Sequence, residues 1–200
     1  MTARMAIGQG TLARQERLLV PSGQPVWRPE AAEAEALMFG FRIAESQELA
    51  AAHALSEMVM GVPLTPLSVL SAAHAHTTAA AWIHEDEGQV TGVILTLPLT
   101  PEGEADLLDN RFVPSAPQAH QLCRPGDPFP AIYFWLFAGG DGRSRRAILR
   151  TCLAWRDGAY AAVRGYARAA SPVGRLALGG LGFTSLKSTL SDLFFIAERS

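Results

Sequence analysis

Apolar and polar residues recur with helix or strand spacing over most of the chain beyond residue 36. A short apolar run with loose alternation, 38–43, predicts a first strand. Ser46 is a favourable N-cap, and the apolar periodicity that follows it predicts a helix ending at Gly61. Thr65 and Pro66 predict the start of a second helix, because a capping residue is followed there by proline.

The middle of the chain predicts a β-hairpin followed by an irregular segment. Two apolar runs, 78–84 and 89–97, flank the acidic, glycine-containing turn 85–88. Seven of the thirteen prolines lie in the next segment, 98–130, which we expect to be an insertion with at most one helical turn near 104–108. Loops of this length often shape a binding site.

The strongest strand signal is the run 131–137, which is apolar on both faces as a central strand must be. A glycine-rich turn, 139–142, follows it, and helical spacing from Ser144 predicts a helix that ends at Gly158. The remaining pattern predicts a strand, a short capped helix and a closing pair of strands, at 161–169, 171–181, 183–186 and 193–196.

Residues 1–36 interrupt this regularity, and we expect them to form an N-terminal arm. Prolines and a glycine between residues 21 and 29 break any regular element. The run 31–36 is rich in Ala and Glu but is too short to be a stable helix alone. The arm is expected to pack on the main domain, 37–200, or on a second copy of the chain, which would make a homodimer.

Composition narrows the class of protein. A chain of 200 residues that is 48% apolar and 18% charged can bury a core as a single domain. It has no apolar run long enough to span a membrane, and its first residues lack the apolar stretch of a secretory signal. With only two cysteines, we expect a cytoplasmic protein with reduced thiols and no metal cage.

The charge is distributed unevenly, although the net charge is only −2. Eight arginines and a single acidic residue lie between residues 143 and 175. A basic stretch of this kind predicts an anionic partner, either a phosphate-bearing small molecule or nucleic acid. We disfavour nucleic acid, because the arginines are spread over two helices and a strand and are not interleaved with stacking aromatic residues.

The glycine turn after the central strand is the candidate anion site. A helix N-terminus presents unpaired N–H groups and a partial positive charge, and glycines let an anion approach closely. Arg143, Arg145 and Arg146 lie in the first helical turn, whereas Asp141 opposes an anion and is expected to cap the helix. The turn matches neither a P-loop nor a dinucleotide fingerprint. The alternative interpretation is a plain strand-to-helix turn with solvated arginines.

The order of the predicted elements over residues 37–198 resembles that of the GNAT superfamily of acyltransferases. The run 139–144, Gly-Gly-Asp-Gly-Arg-Ser, resembles the family loop for the acyl-CoA pyrophosphate, Gln/Arg-x-x-Gly-x-Gly/Ala, without its first polar residue. The run 171–183 is similar in spacing to a later family helix, Asn-x-x-Ala-x-x-x-Tyr, and the Leu-Gly-Phe that follows it. Leu178 stands where that tyrosine would be.

This resemblance implies an α/β fold, with a mixed twisted sheet flanked by helices, that binds acetyl-CoA or another acyl-CoA. The acyl-CoA would lie where strands 131–139 and 161–169 diverge, and its acyl group would be transferred to an amine by direct attack in a ternary complex. The insertion 98–130 would then influence the choice of acceptor. The residues implied to bind acyl-CoA are Phe137, Ala138, Gly139, Gly140, Gly142, Arg143, Ser144, Arg145, Arg146 and Ser171.

The missing tyrosine leaves open which group protonates the leaving thiolate. Tyr133, Tyr166 and water are the candidates for this role. The alternative is a protein of the same fold that binds CoA or a partner without catalysis.

We interpret His53, His74 and His76 as packing or solvated residues rather than metal ligands, because no third ligand lies at a spacing typical of a metal site.

Overall fold

A computed structural model of the protein describes residues 24–169, 171–186 and 192–199, which form a seven-stranded mixed sheet with helices on both faces. The strands are β1 (Phe41–Ile43), β2 (Ala81–Asp86), β3 (Gln89–Leu99), β4 (Ala131–Gly139), β5 (Arg164–Arg168), β6 (Thr184–Ser185) and β7 (Leu193–Ile196). The helices are α1 (Pro29–Leu37), α2 (Leu49–Met60), α3 (Leu67–Thr77), α4 (Pro101–Leu108), α5 (Gly142–Asp157) and α6 (Pro172–Gly180). The strand order is β1-β2-β3-β4-β5-β7-β6.

The core lies on both faces of this sheet. One face is covered by α1, α5 and α6, and the other by α2, α3 and α4. On the first face Trp82 and Trp155 meet edge to face at 4.8 Å, and the indole N–H of Trp155 donates to the carbonyl of Ala32 at 2.7 Å. Helices on both faces explain why β4 reads as a continuous apolar run.

Strand β4 carries an irregularity where it pairs with β3. Leu136 lies opposite Leu95 and Phe134 lies opposite Thr96, so Trp135 is an extra residue in the ladder. Such a β-bulge bends the strand and increases its local twist. The bulge therefore lies just where β4 begins to separate from β5.

Segment 98–130 is more regular and more buried than its prolines predicted. Strand β3 continues to Leu99, and Pro101 begins helix α4, because a proline N–H would have no partner in the first helical turn anyway. Thr100 caps this helix by accepting a hydrogen bond from the Gly103 amide at 3.0 Å. Buried side chains of this segment that join the core are Leu107, Phe112, Leu122 and Phe129. The segment thus holds an eight-residue helix rather than the single turn expected near 104–108, whereas residues 109–130 are irregular except for a short 3-10 helix, Ala119–Gln121.

The described part of the expected arm, residues 24–36, is part of the same core. Trp27 is 1% exposed, and Ala32 and Ala36 are fully buried against the sheet and α5. Helix α1 extends to Leu37, so a boundary after residue 36 would fall inside it. Packing supplies the stability that this short helix lacks alone. Residues 1–23 lie outside the described residues.

The hairpin β2–β3 forms as predicted, with Glu87 and Gly88 at positive φ in its turn. The strand predicted at 161–169 is shorter, and the helix expected to begin at Pro66 begins at Leu67 with Pro66 as its N-cap. No helix in the described ranges is both long enough and apolar enough to cross a membrane.

Candidate functional site

A cleft opens between β4 and β5, where the two strands run parallel and then diverge. Their pairing ends at Phe134 and Ala167, but β4 continues to Gly139. The cleft has a volume of about 520 Å³. Beyond Phe134 the edge of β4 that faces the cleft has no strand to pair with, so its peptide groups face the cleft.

Most of the cleft lining is apolar, and the lining comes from five elements, α2, β4, β5, α5 and α6. These residues include Met60 at the end of α2, Phe137 on β4, Leu149 on α5, and Ala177 and Leu178 on α6. Sequence reasoning did not place Met60 or Leu149 at a site. What marks them is exposure: each is an apolar residue on a helix beside the buried stripe, and the exposed fraction of the side chain is 41% for Met60 and 43% for Leu149.

The polar side chains in the cleft are Arg145, Arg168 and Ser171. The Arg145 Nε donates to the Gly139 carbonyl at 3.0 Å, and Arg168 pairs with Asp192 at 2.9 Å. Ser171 caps α6 by accepting from the Gly174 amide at 3.1 Å. Among the described residues that line the cleft there is no Asp, Glu, His or Tyr. The cleft therefore carries the positive charge of Arg145 on one wall, whereas the charge of Arg168 is balanced by Asp192, and no Asp, Glu, His or Tyr side chain among the described lining residues can accept a proton.

The N-terminus of α5 is capped by its own aspartate, as the sequence predicts. The Asp141 carboxylate accepts from the Ser144 amide at 2.7 Å, and this backbone hydrogen bond lowers the pKa of the Asp141 carboxyl. The Gly140 amide donates to the Thr91 carbonyl at 2.9 Å. Several amides that the resemblance assigned to a pyrophosphate are thus already bonded within the protein. The turn does not fit a diphosphate held by a full set of backbone amides.

No protein-family model matches the sequence, and no curated protein matches it. Solved structures do match: a GNAT-family acetyltransferase from Streptococcus agalactiae has a TM-score of 0.52 at 12% identity, over 80% of this chain and 95% of that one. The chain has the GNAT fold. Diaminobutyrate acetyltransferase from Paenibacillus lautus, in complex with L-2,4-diaminobutyric acid and coenzyme A, has a TM-score of 0.46 at 15% identity, over 78% and 93% of the chains. Ard1 from Thermoplasma volcanium has a TM-score of 0.45 at 12% identity, over 78% of this chain and 93% of that one.

Within this GNAT fold the arginines at the start of α5 do not act as one group. Arg145 lines the cleft, whereas Arg143 and Arg146 line a separate cavity on the opposite flank of the helix. The helical repeat explains this separation, since neighbouring positions point about 100° apart around the axis. Of the residues that the resemblance implied, Phe137, Gly139, Arg145 and Ser171 come together at the cleft.

The two tyrosines considered for catalysis lie outside the cleft of this GNAT fold. The Tyr166 hydroxyl donates to the Glu104 carboxylate at 2.8 Å, and the Tyr133 ring packs edge to face on Phe112 at 5.7 Å. Both are buried on the face that α4 covers, and burial raises the pKa of Tyr133 to about 12 and that of Tyr166 as well. Neither tyrosine is among the described residues that line the cleft, and a role for either hydroxyl in protonating the leaving thiolate stays a prediction.

The three histidines do not gather at a common point. The ring of His53 lies 2.7 Å from the Thr65 carbonyl, and that of His76 lies 3.1 Å from the Leu122 carbonyl. The His74 ring accepts from the Ala81 amide at 3.2 Å, and burial lowers the pKa of His74. Over the described ranges no three metal-ligating side chains form a group.

Proposed function

We propose that the protein is an acyltransferase that binds an acyl-CoA between β4 and β5 and transfers a short acyl group, such as acetyl, to an amine. The observation that carries this proposal is the divergence of the two strands beyond Phe134 and Ala167. An unpaired strand edge offers N–H and C=O groups to an extended chain with amide groups, as a pantetheine arm has. The apolar lining would shield the thioester from water.

In this reaction the amine nitrogen attacks the thioester carbonyl, a C–N bond forms and the C–S bond breaks. The protein contributes mainly by holding donor and acceptor in contact. Since no carboxylate or histidine is found among the described lining residues, the amine must arrive in its neutral form or lose its proton to water. We therefore expect the rate to rise with pH until the acceptor amine itself is fully deprotonated.

The phosphates of CoA would be held chiefly by charge at the mouth of the cleft. Arg145 is exposed and reaches this mouth from α5. Asp141 lies at the N-terminus of the same helix and repels an approaching diphosphate. We expect the affinity for CoA to be lower than that of a site in which several free backbone amides bind the diphosphate.

The second candidate is a protein of the same fold that binds acyl-CoA without catalysis. It is favoured by a specific observation, the lack of Asp, Glu, His and Tyr among the described residues of the cleft. Leu178, which stands where the resemblance expects a tyrosine, is 4% exposed and lacks any proton to donate. The two candidates share the cleft and differ in turnover.

Binding is tested by filling the cleft. Gly174 lines it, and a side chain there has ordinary contacts at 3.4 Å or more. Gly174→Phe should abolish the heat of CoA binding in isothermal titration calorimetry. Gly179→Phe is the matched control, because Gly179 lies on the same helix with nothing within 4 Å of an added Cβ. Equal CoA affinity in both variants, or no binding by the wild type, would overturn both candidates.

Turnover is tested by following free thiol when acetyl-CoA is mixed with a panel of primary amines. A transferase releases CoA only when a suitable amine is present, and release depends on Gly174 as binding does. Release in the presence of an amine supports acyl transfer. Binding that is sensitive to Gly174→Phe without release on any amine supports the second candidate.

A further inference from the structure

A second cavity, of about 580 Å³, lies on the flank of α5 that faces away from the cleft. Its walls are the turn between α1 and β1, strand β2 and helix α5. Its aromatic and basic lining residues are Phe39, His84, Arg143, Arg146 and Arg150. No carboxylate is among the described residues that line it.

The three arginines form one row along α5. Their spacing of three and four residues places them on one side of the helix, where like charges repel. Arg143 pairs with Asp86 at 3.1 Å. Arg146 and Arg150 form no ion pair or side-chain hydrogen bond with any residue in the described ranges. Their guanidinium groups are thus available to an anion.

His84 is the buried polar group on the opposite wall. It is 5% exposed, and its Nδ1 lies 2.8 Å from the Thr91 hydroxyl. Its Nε2 is turned towards Gly40, where an added Cβ would lie only 3.2 Å away. This Nε2 has no hydrogen-bond partner in the part of the chain that the structure describes. Because His84 lines the cavity, this nitrogen is open to a hydrogen bond with a group that enters it.

We infer that this cavity binds a phosphate monoester, with Arg146 and Arg150 on the phosphate oxygens and His84 as a further hydrogen-bond partner. Guanidinium groups match the geometry and charge of phosphate. The half-buried ring of Phe39 offers an apolar wall to the group that carries the phosphate. The inference does not depend on the proposed acyl transfer, because the cavity and the cleft lie on opposite flanks of α5.

The test is titration of inorganic phosphate into the full chain by calorimetry. The double variant Arg146→Ala/Arg150→Ala should weaken phosphate binding by at least about tenfold, the loss expected when charge-assisted hydrogen bonds are removed. The control Arg124→Ala/Arg175→Ala removes the same charge from exposed positions outside the cavity and should leave the affinity within about twofold of the wild type. His84→Gln should weaken binding while leaving the arginine row intact.

Equal affinity in the two double variants, or no phosphate binding by the wild type, would overturn the inference. Such a phosphate belongs either to a separate ligand or to the 3′-phosphate of CoA. Loss of phosphate binding in CoA-saturated protein, but not with dephospho-CoA, assigns the cavity to CoA itself. Persistence in CoA-saturated protein assigns it to a separate ligand. Absence of CoA binding would remove the proposed function and leave the phosphate titration unaffected.

Discussion

Glu104 is a carboxylate that is 6% exposed and bonded on both of its oxygens. Tyr166 donates to one oxygen and Arg164 to the other, each at 2.8 Å. Burying a carboxylate costs free energy, and here the ion pair with Arg164 and the hydrogen bond from Tyr166 offset that cost. The structure therefore gives Tyr166 a structural role, as the hydrogen-bond donor to a buried carboxylate.

Replacing Tyr166 by Phe tests this role. We expect a loss of about 1–2 kcal/mol in the free energy of unfolding, because the Glu104 carboxylate loses one hydrogen bond. Tyr133→Phe is the control, since the Tyr133 hydroxyl makes no hydrogen bond within the described residues, and it should cost less. Urea denaturation measures the stability, and CoA titration should be unchanged in both. Loss of acyl transfer at full stability would assign Tyr166 to catalysis.

The ion pair between Glu48 and Arg42 predicts how the stability of the protein depends on pH. The hydrogen bond from Arg42, at 2.6 Å, lowers the pKa of Glu48 to about 2. Because the pKa is lower in the folded chain than in the unfolded chain, where it is about 4.3, this contact stabilises the protein above pH 4.3 and is lost as the pH falls towards 2. Glu48→Gln should cost about 1 kcal/mol at pH 7 and progressively less below about pH 4.3. An equal loss at pH 7 and pH 3, measured by urea denaturation, would assign the effect to packing.

Helix α5 separates the cleft from the second cavity, which lie on its two flanks. Its buried stripe faces the sheet, Arg145 and Leu149 face the cleft, and Arg146 and Arg150 face the second cavity. Local spacing predicts the helix and its cap, because these depend on residues within one or two turns. It does not predict which neighbour each exposed residue meets, because that depends on how the helix lies on the sheet.

Asp141→Asn tests the anion-binding capacity of this helix terminus. Asparagine retains an oxygen that caps the Ser144 amide, but it removes the negative charge beside the cleft mouth. We expect CoA to bind a few-fold more tightly, with little change in melting temperature. Asp109→Asn, an exposed change at the end of α4, should leave CoA affinity unchanged. Unchanged affinity in Asp141→Asn would mean that the phosphates do not approach α5.

Segment 98–130 contributes to the core of the whole molecule, because it covers part of one face of the sheet beside α2 and α3. Leu107 on α4 is 1% exposed and packs in the same cluster as Leu99 and Tyr133. Composition predicted an irregular insertion there, since prolines usually break regular structure. The prolines instead lie in the first turn of α4, near the end of strand β3 and in connections, where they are tolerated.

Leu107→Ala distinguishes a core segment from a surface insertion. We expect a loss of about 2–5 kcal/mol in the free energy of unfolding, because a buried leucine leaves a cavity. Leu108→Ala, at a neighbouring position that is 40% exposed, should cost less than about 1 kcal/mol. Equal midpoints of urea denaturation for the two variants would place the segment outside the core.

The sequence by itself determined the order of the strands, the helices α2, α3, α5 and α6, the buried character of β4 and the caps of α5 and α6, but not the helices α1 and α4. These follow from contacts between residues close together in the chain, so periodicity and capping residues predict them. Only the tertiary structure decided the cleft, because it depends on where two strands of a twisted sheet stop pairing. The partnership of Glu104 with Tyr166, which are 62 positions apart, was likewise decided by packing.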